Sequence, residues 1–350
     1  MPQPSTRSNI GSLLVIAVVV AGGAAAFAYT AGWLSPGRVT PDRLVDRLAP
    51  PTGPVLGYRR NHAKGVCFTG AFEANGAGAA LSDARVFAAG RYPVMGRFNV
   101  AGPIPTADDA TARVRGMGLQ IKTPDGQEWR SATIDVPFFP VGTVQAFYDL
   151  QSASATKDAP DAVKRVVAAH PEIAVFGAWA KSAPFAPSFA DDRYNSLNSF
   201  VFTDAAGNSR VVRWSLVPRT QPTLVSADDM KARGPDFLKG EIAARVAAQP
   251  QRWGLFVTVA EPGDPTADPS KAWPASRRAV DVGTLVVDRV LPEPDGPCRD
   301  INFDPTVLPP GIGTSDDPFP AARSAAYAVS YNRRTAEAGH YPRTMTESSK

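Results

Sequence analysis

The hydrophobic residues of the chain form one long uninterrupted run near the N-terminus and many short runs after it. Residues 10–34 contain no charged side chain, and residues 10–29 alone reach the roughly 20 apolar residues that a bilayer crossing requires. This run predicts a transmembrane helix over residues 10–34. Arg7 stands on its short side, which favours a cytoplasmic segment at residues 1–9 and places the rest of the chain outside the cytoplasm.

A cleaved signal peptide is the alternative interpretation of the same run. Residues 23–28 are rich in small side chains and could contain a cleavage site. An uncleaved anchor is favoured because the apolar run continues through Phe27, Tyr29 and Trp33. In either case the globular part is exported, so we expect a single-pass protein of a bacterial-type cytoplasmic membrane whose main domain is periplasmic or extracytoplasmic.

A polar, proline-bounded spacer is predicted at residues 35–57. Within it, residues 41–48 have a helical pattern in which Leu44, Val45 and Leu48 share one face and Thr40 can cap the N-terminus. Residues 58–350 are predicted to form one domain, because they contain no repeat of fixed period and no linker rich enough to divide them.

From residue 58 onward the pattern is mostly that of strands, with short apolar or alternating runs between Gly, Pro, Asn and Asp. Strands are predicted at residues 66–72, 94–100, 116–122, 199–203, 210–217, 253–259 and 282–290, and a hairpin loop at residues 204–208. Helices are predicted near residues 147–170, where Pro160 must start or interrupt a segment, and near residues 228–248. Many antiparallel strands with helical insertions predict an α+β fold, a closed β-barrel covered by a helical layer.

Composition excludes two broad classes of protein. With 44% apolar and 20% charged residues, the chain is not expected to be disordered. Its net charge is only +4 and no cluster of Lys and Arg alternates with aromatic residues, so no nucleic acid is expected as a partner. The two cysteines, Cys67 and Cys298, agree with an oxidising compartment. Because nothing in the sequence places them close together, two separate buried thiols are favoured over a disulfide.

Residues 59–72 contain one of only three histidines in the chain. His62 follows Arg59 by three residues and precedes a buried strand in which Gly65 and Gly70 indicate close backbone contacts. Such a histidine is either a core residue satisfied by a hydrogen bond or a functional group at the mouth of the strand. The local sequence leaves both interpretations open.

A second group of reactive side chains lies near the C-terminus. Residues 302–312 are rich in proline, and residues 315–318 carry a capping side chain and a proline typical of a helix start. Arg323, Tyr327 and Arg334 are separated by four and seven residues, so they share one helical face. A guanidinium one helical turn from a tyrosine favours the phenolate form of its side chain. The alternative is an amphipathic helix with solvated arginines and a packed tyrosine.

Together these segments resemble those of haem catalases. Residues 59–65, Arg-x-x-His-Ala-Lys-Gly, resemble the segment of the distal histidine, and residues 302–312 resemble the turn before the proximal helix. Residues 97–102 and 115–118 resemble two further segments, in the expected order. The resemblance covers residues 58–334 and is to the catalase-related peroxidases, short exported relatives of catalase. It implies a catalase-like barrel, a C-terminal proximal helix and haem b with tyrosinate-ligated ferric iron.

The resemblance also implies roles for individual residues. Tyr327 is implied as the axial ligand, His62 as the distal base and Asn99 as the residue beside that base. Arg59, Arg97 and Arg334 are implied as partners of the haem propionates, with Arg323 supporting the phenolate.

The sequence departs from typical catalases in three respects. Asn99 stands where they place a hydroxyl residue, and their distal asparagine has no clear match, Asp135 being the nearest position. The wrapping segment and helical domain that typical catalases carry do not follow Arg334, so no NADPH is expected.

We therefore expect a haem peroxidase that uses hydrogen peroxide or organic hydroperoxides to oxidise small organic donors, with weak catalase activity. A membrane-tethered haem- or lipid-binding barrel without turnover is the alternative. Rearrangement of fatty-acid hydroperoxides would use the same iron site. Oligomer formation stays open.

Overall fold

A computed structural model describes residues 6–30, 33–34, 37–156 and 160–341. Parts of the predicted cytoplasmic segment, of the anchor and of the spacer, and the last nine residues of the predicted domain, lie outside the described residues. The described helices are α1 (Thr6–Thr30), α2 (Pro41–Arg47), α3 (Val144–Ser154), α4 (Pro160–Ala169), α5 (Glu172–Ser182), α6 (Ala227–Lys231), α7 (Leu238–Ala248) and α8 (Phe319–Ala336). The strands are β1 (Lys64–Ala74), β2 (Gly90–Val100), β3 (Arg115–Lys122), β4 (Glu128–Ile134), β5 (Tyr194–Asn195), β6 (Phe200–Thr203), β7 (Ser209–Pro218), β8 (Gln251–Val259), β9 (Ala279–Leu291) and β10 (Ile312–Thr314).

The strands close into an antiparallel barrel. Neighbours follow the order β7-β5-β4-β3-β2-β1-β9-β8, and pairing of β8 with β7 completes a ring of eight strands in the described part of the chain. β6 pairs with β7 outside this ring, and β10 pairs with β6. A closed ring has no free strand edge, which removes a common route to aggregation. The predicted α+β fold with a closed antiparallel barrel is confirmed.

Aromatic side chains fill the barrel. The Phe98 ring is fully buried, 4.5 Å from the ring of Phe68, 5.2 Å from that of Phe189 and 5.8 Å from that of Trp253. Because side chains alternate across a strand, the neighbours of Phe98 on β2, Arg97 and Asn99, point away from this core. The alternation therefore directs polar side chains toward the helices that cover the outer face.

Helix α2 fastens the spacer to the C-terminal helix α8. Thr40 caps α2 by accepting a hydrogen bond from the Arg43 backbone N–H at 3.3 Å. Leu44 and Val45 are buried and pack with Ala326 of α8. The predicted capped helix and its apolar face are confirmed.

The other helical predictions are confirmed only in part. The segment 147–170 contains two helices, α3 and α4, and α4 begins at Pro160, where the sequence predicts a start or an interruption. Helix α5 was not predicted; its side chains are all half-buried or exposed, so it lacks the single apolar face that periodicity detects. The stretch 228–248 is likewise divided, into α6 and α7.

The prediction of two separate thiols is wrong, because Cys67 and Cys298 form a disulfide. Cys67 lies on β1 opposite Leu291, at the end of β9. The chain then turns back over residues 292–297, which brings Cys298 to Cys67. The path of this turn brings together residues 231 positions apart.

Residues 10–30 of α1 form an apolar helix of 21 residues that by length and composition can cross a membrane. Its large apolar side chains are exposed, including Leu14 at 62% and Val18 at 71%.

Candidate active site

All seven residues singled out from the sequence line one cavity of about 490 Å³. The cavity lies between the outer face of β2–β4 and the helices α2, α3 and α8. Its walls are largely apolar: Phe139 packs edge-on to Phe319 at 5.4 Å and lies 5.6 Å from Phe147. The fold therefore brings together side chains from positions 59 to 334.

Glycines provide the space beside the polar residues of β2. Gly118 is paired with Arg97 across the β2–β3 ladder, and Gly116 with Asn99. A Cβ atom at Gly116 would lie 2.5 Å from Asn99 Oδ1, and one at Gly118 would lie 2.8 Å from the Phe303 ring. Both positions need glycine because neighbouring groups approach the backbone closely.

His62 is fixed through both its backbone and its ring. Its φ of 55° lies in the left-handed region, which costs a non-glycine residue about 1–3 kcal/mol. Asn61 Oδ1 stabilises this conformation by accepting hydrogen bonds from the backbone N–H groups of His62 at 2.9 Å and Gly102 at 2.7 Å. Asn99 Oδ1 lies 2.6 Å from His62 Nδ1. An amide oxygen can only accept, so Nδ1 donates and Nε2 carries the free lone pair of the neutral ring.

The surroundings of His62 keep its ring neutral. Burial is the main cause that lowers the pKa of His62 to about 4. The hydrogen bond to Asn99 acts in the opposite direction, while the positive charges of Arg97, Arg323 and Arg59 lower the pKa further. A neutral imidazole in a cavity wall can accept a proton at ordinary pH.

Helix α8 presents Tyr327 and Arg323 to the same cavity. Arg323 Nη2 donates a hydrogen bond to Tyr327 Oη at 3.1 Å, as expected for residues one helical turn apart. Arg323 is held in place by Asn198 Oδ1 at 2.6 Å and by the carbonyl of Ala132 on β4 at 3.0 Å. The phenol oxygen is thus paired with a guanidinium whose position is set by the barrel.

Three arginines meet at one end of the cavity. Arg97 and Arg334 are each 2% exposed, and Arg59 lies close to both. Burial and then the charges of Arg97 and Arg334 lower the pKa of Arg59. Burial alone would raise the pKa of Glu293, but the pairing with Arg97 and Arg59 outweighs it and lowers that pKa overall.

The residues at this end fit a haem group. Among the described residues, Glu293, which is 12% exposed, lies within ion-pair distance of Arg97 and Arg59, whereas Arg334 pairs with Asp300, which is 47% exposed. Two positive charges therefore lack a buried counter-ion. Arg59 Nε and two nitrogens of Arg334, Nε and Nη2, are buried without a hydrogen-bond partner in the structure as described. Because buried polar atoms are normally paired, these atoms indicate an anionic ligand, and haem carries two propionates.

Asp135 does not belong to the cavity, although it is the nearest sequence match to the distal asparagine of catalases. Ile134 and Val136 line the cavity, and Asp135 between them points away and accepts a hydrogen bond from the Arg115 backbone N–H at 2.9 Å. Burial, followed by the nearby Asp192, raises the pKa of Asp135 well above its ordinary value. Next to Asp135 the cavity lining consists of Ile134, Val136 and Thr133, whose hydroxyl donates to the carbonyl of Met117.

Glu293 and Phe303 were not identified from the sequence, although both contact predicted site residues. Glu293 pairs with Arg97, and the ring of Phe303 lies 5.8 Å from the guanidinium of Arg59. Phe303 lies in the proline-rich stretch 302–312, which the sequence already marks as part of the site, so it could have been identified there. Glu293 lies in a loop with no motif.

Comparison with known proteins shows which family this chain resembles. A family model described as catalase matches residues 44–341. A catalase-related peroxidase of Synechococcus elongatus is 33% identical over 311 residues, covering 87% of this chain and 91% of the relative. A catalase-related peroxidase of Mycolicibacterium paratuberculosis is 32% identical over 301 residues, covering 85% of this chain and 96% of the relative.

A solved bacterial catalase shares the fold. It superposes with a TM-score of 0.68 at 20% sequence identity, over 79% of this chain and 57% of the catalase chain. Since the family model spans most of the sequence and both relatives match over nearly their whole length, the chain belongs to the catalase family, the peroxide-using haem oxidoreductases.

Proposed function

We propose that the chain is a haem peroxidase that reduces hydrogen peroxide or organic hydroperoxides at the expense of small organic donors, with weak catalase activity. The observation that carries the proposal is that the His62–Asn99 pair, the Tyr327–Arg323 pair and the three buried arginines line one cavity. A proton acceptor, a candidate iron ligand and anion-binding groups would therefore all be available to one cofactor.

Tyr327 would ligate the iron, and Arg59, Arg97 and Arg334 would bind the two propionates. When bound, haem b supplies the ferric iron at which the peroxide O–O bond is cleaved and from which electrons are exchanged with the donor. Arg323 would stabilise the negative charge of the Tyr327 oxygen through its hydrogen bond. The apolar walls around Phe139 would hold the porphyrin ring and exclude water.

His62 would move the proton that O–O cleavage requires. Its neutral Nε2 accepts the proton from one peroxide oxygen and returns it to the departing oxygen, as general base and then general acid. Asn99 keeps Nδ1 protonated, so the same nitrogen is free in every turnover. Since Asn61 fixes the backbone of His62, the ring keeps its position while the proton moves.

The apolar part of the cavity wall favours a donor over a second peroxide. Ile134 and Val136 offer no hydrogen bond with which to align a second hydrogen peroxide molecule beside the first. The cavity wall is instead apolar and suits small aromatic or other organic donors. Peroxidase turnover is therefore proposed to exceed catalase turnover.

We also propose that α1 anchors the protein and that the haem domain lies on the periplasmic or extracytoplasmic side. The exposed apolar side chains of α1 support the anchor. The Cys67–Cys298 disulfide supports an oxidising compartment.

Peroxide-dependent oxidation of an aromatic donor by the purified haem-loaded chain tests the activity. The proposal requires donor oxidation that depends on both peroxide and the chain and exceeds that of free haem at equal concentration. A chain that binds haem but oxidises the donor no faster than free haem would be a binding barrel without turnover.

A further inference from the structure

A single loop, residues 292–302, contacts all three arginines that meet at one end of the cavity, Arg59, Arg97 and Arg334. Glu293 accepts two hydrogen bonds from Arg97, from Nε and from Nη2, each at 2.7 Å. The other contacts of the loop are made by backbone carbonyls. A loop with no motif in the sequence therefore sets the positions of three groups that converge from the segment before β1, from β2 and from α8.

The carbonyl contacts fall on the residues that follow Glu293 in the loop. Arg59 Nη2 donates to the carbonyls of Cys298, Arg299 and Ile301 at 3.1, 3.2 and 3.1 Å. Arg334 Nη1 donates to the carbonyl of Arg299. Arg59 and Arg334 thus share the Arg299 carbonyl, so a shift of this segment would displace both guanidiniums together.

The disulfide closes this loop onto the barrel. Leu291, the last residue of β9, lies opposite Cys67 in the β1–β9 ladder, and Cys298 is bonded to the same Cys67. The backbone N–H of Cys298 also contacts Cys67 Sγ at 3.2 Å. Both cysteines are fully buried, and neither lines the cavity. Residues 292–297 are therefore held at both ends by one position of a rigid strand.

We infer that the Cys67–Cys298 disulfide is a positioning device for the carboxylate groups of the cofactor. It holds the carbonyls that orient Arg59 and Arg334 and the carboxylate that orients Arg97. The inference rests on the proposed function, because it takes the two haem propionates as the anions that these arginines bind. Guanidinium–carboxylate pairs depend strongly on geometry. If the loop were freed at Cys298, the arginines that it orients would therefore bind the propionates less tightly.

A purely structural disulfide makes a different prediction. A cross-link that only restricts the unfolded chain stabilises the folded protein whatever porphyrin it holds. A positioning disulfide acts on the charged propionates alone. Haem and haem dimethyl ester, in which both propionates are neutral esters, therefore separate the two roles.

The experiment measures transfer of each porphyrin from the full chain to excess apomyoglobin. The double variant Cys67→Ser/Cys298→Ser removes the disulfide. The serine hydroxyl at position 67 can still accept a hydrogen bond from the backbone N–H of residue 298. We expect this variant to release haem about tenfold faster than the wild type, the effect of weakening one charge-assisted hydrogen bond network. Release of haem dimethyl ester should stay within about twofold of the wild-type rate.

Gly296→Ala tests the same loop with the disulfide intact. A Cβ atom there would collide with the carbonyl of Pro292 and lie 3.0 Å from Cys67 Sγ, so the loop must shift. Gly313→Ala is the matched control, because a Cβ atom at Gly313 meets nothing within 4 Å. Gly296→Ala should show the same selective loss of haem and Gly313→Ala none; if the double variant does not fold, this pair decides alone.

Two results would overturn the inference. Equal acceleration for haem and its dimethyl ester would show a purely structural disulfide, and unchanged release of both would show that the loop does not control the arginines. A wild-type chain that binds no haem would instead overturn the proposed function itself.

Discussion

At the scale of single residues, two asparagines hold His62 in place through different hydrogen bonds. Asn61 fixes the left-handed backbone of His62, and Asn99 fixes the tautomer of its ring. A core histidine would need one hydrogen-bond partner and no unusual backbone. The two constraints together are typical of a functional site, where local strain is tolerated to orient a reacting group.

Replacing His62 removes the proposed proton carrier. His62→Ala should retain haem but lose peroxide-dependent donor oxidation by roughly a hundredfold or more, the usual contribution of a general acid–base group. His170→Ala is the control, since His170 does not line the cavity. Normal turnover by His62→Ala, measured as kcat/KM for peroxide, would make His62 a structural residue.

The pH dependence follows from the low pKa of His62. A histidine with a pKa of about 4 is neutral throughout the range from pH 5 to 8, so donor oxidation should have no acid limb near 6.5, the ordinary histidine value. Because the pKa is lower in the folded than in the unfolded protein, His62 costs folding stability as the pH falls from about 6.5 to about 4.

The measurement is a pH profile of kcat/KM for peroxide beside thermal unfolding of the wild type and His62→Gln. Wild-type stability should fall more steeply than that of the variant below pH 6.5, the ordinary histidine pKa. An acid limb near 6.5 together with parallel stability curves would contradict the low pKa.

Tyr327 is the proposed axial ligand, so its hydroxyl is required. Tyr327→Phe should lose haem during purification or bind it with an absorption spectrum unlike that of the wild type. Tyr331→Phe is the matched control, because Tyr331 lies on the same helix and lines the same cavity. An unchanged haem content and spectrum in Tyr327→Phe would remove Tyr327 from the iron.

At the scale of elements, the sequence predicts those parts of the site that local periodicity determines. Period-two alternation on β2 places Arg97 and Asn99 on one face, and helical spacing does the same for Tyr327 and Arg323. The same alternation explains why Asp135, the position nearest to the distal asparagine of catalases, does not line the cavity: its neighbours Ile134 and Val136 do. A match by sequence order without strand phase does not identify the inward-facing residue.

Long-range loop geometry could not be predicted in this way. The disulfide and the Glu293–Arg97 ion pair both depend on how residues 292–302 turn back after β9. Neither periodicity nor turn residues specify that path, because it is set by pairing between strands over 200 residues apart.

Helix α1 is the element whose role is tested most simply. We predict that the full-length chain fractionates with membranes and that detergent, unlike high salt, releases it, because apolar burial in a bilayer is insensitive to salt. A truncated chain beginning at Arg38 should be soluble and retain haem. N-terminal sequencing of the native protein supplies the control: a soluble form beginning near Thr30 would show a cleaved signal peptide instead.

At the scale of the whole molecule, the barrel brings residues from the N-terminal half of the chain and from the C-terminal helix α8 to one cavity. Arg97 and Asn99 lie on the outer face of the barrel and His62 lies just before β1. Helix α8 returns at the C-terminal end with Tyr327, Arg323 and Arg334. The barrel core is closed and filled with aromatic rings, so the cavity lies beside it, under the helices. Helix α2 covers one side of that cavity, where Leu44 and Val45 line it.

The ratio of two rates tests the central claim most directly. Oxygen release and oxidation of an aromatic donor are measured side by side on the same haem-loaded protein, with hydrogen peroxide and with an organic hydroperoxide. The largely apolar cavity wall predicts that donor oxidation exceeds oxygen release, and that the organic hydroperoxide also supports it. Rapid oxygen release from hydrogen peroxide, with donors barely oxidised, would contradict the account and make the protein a small catalase.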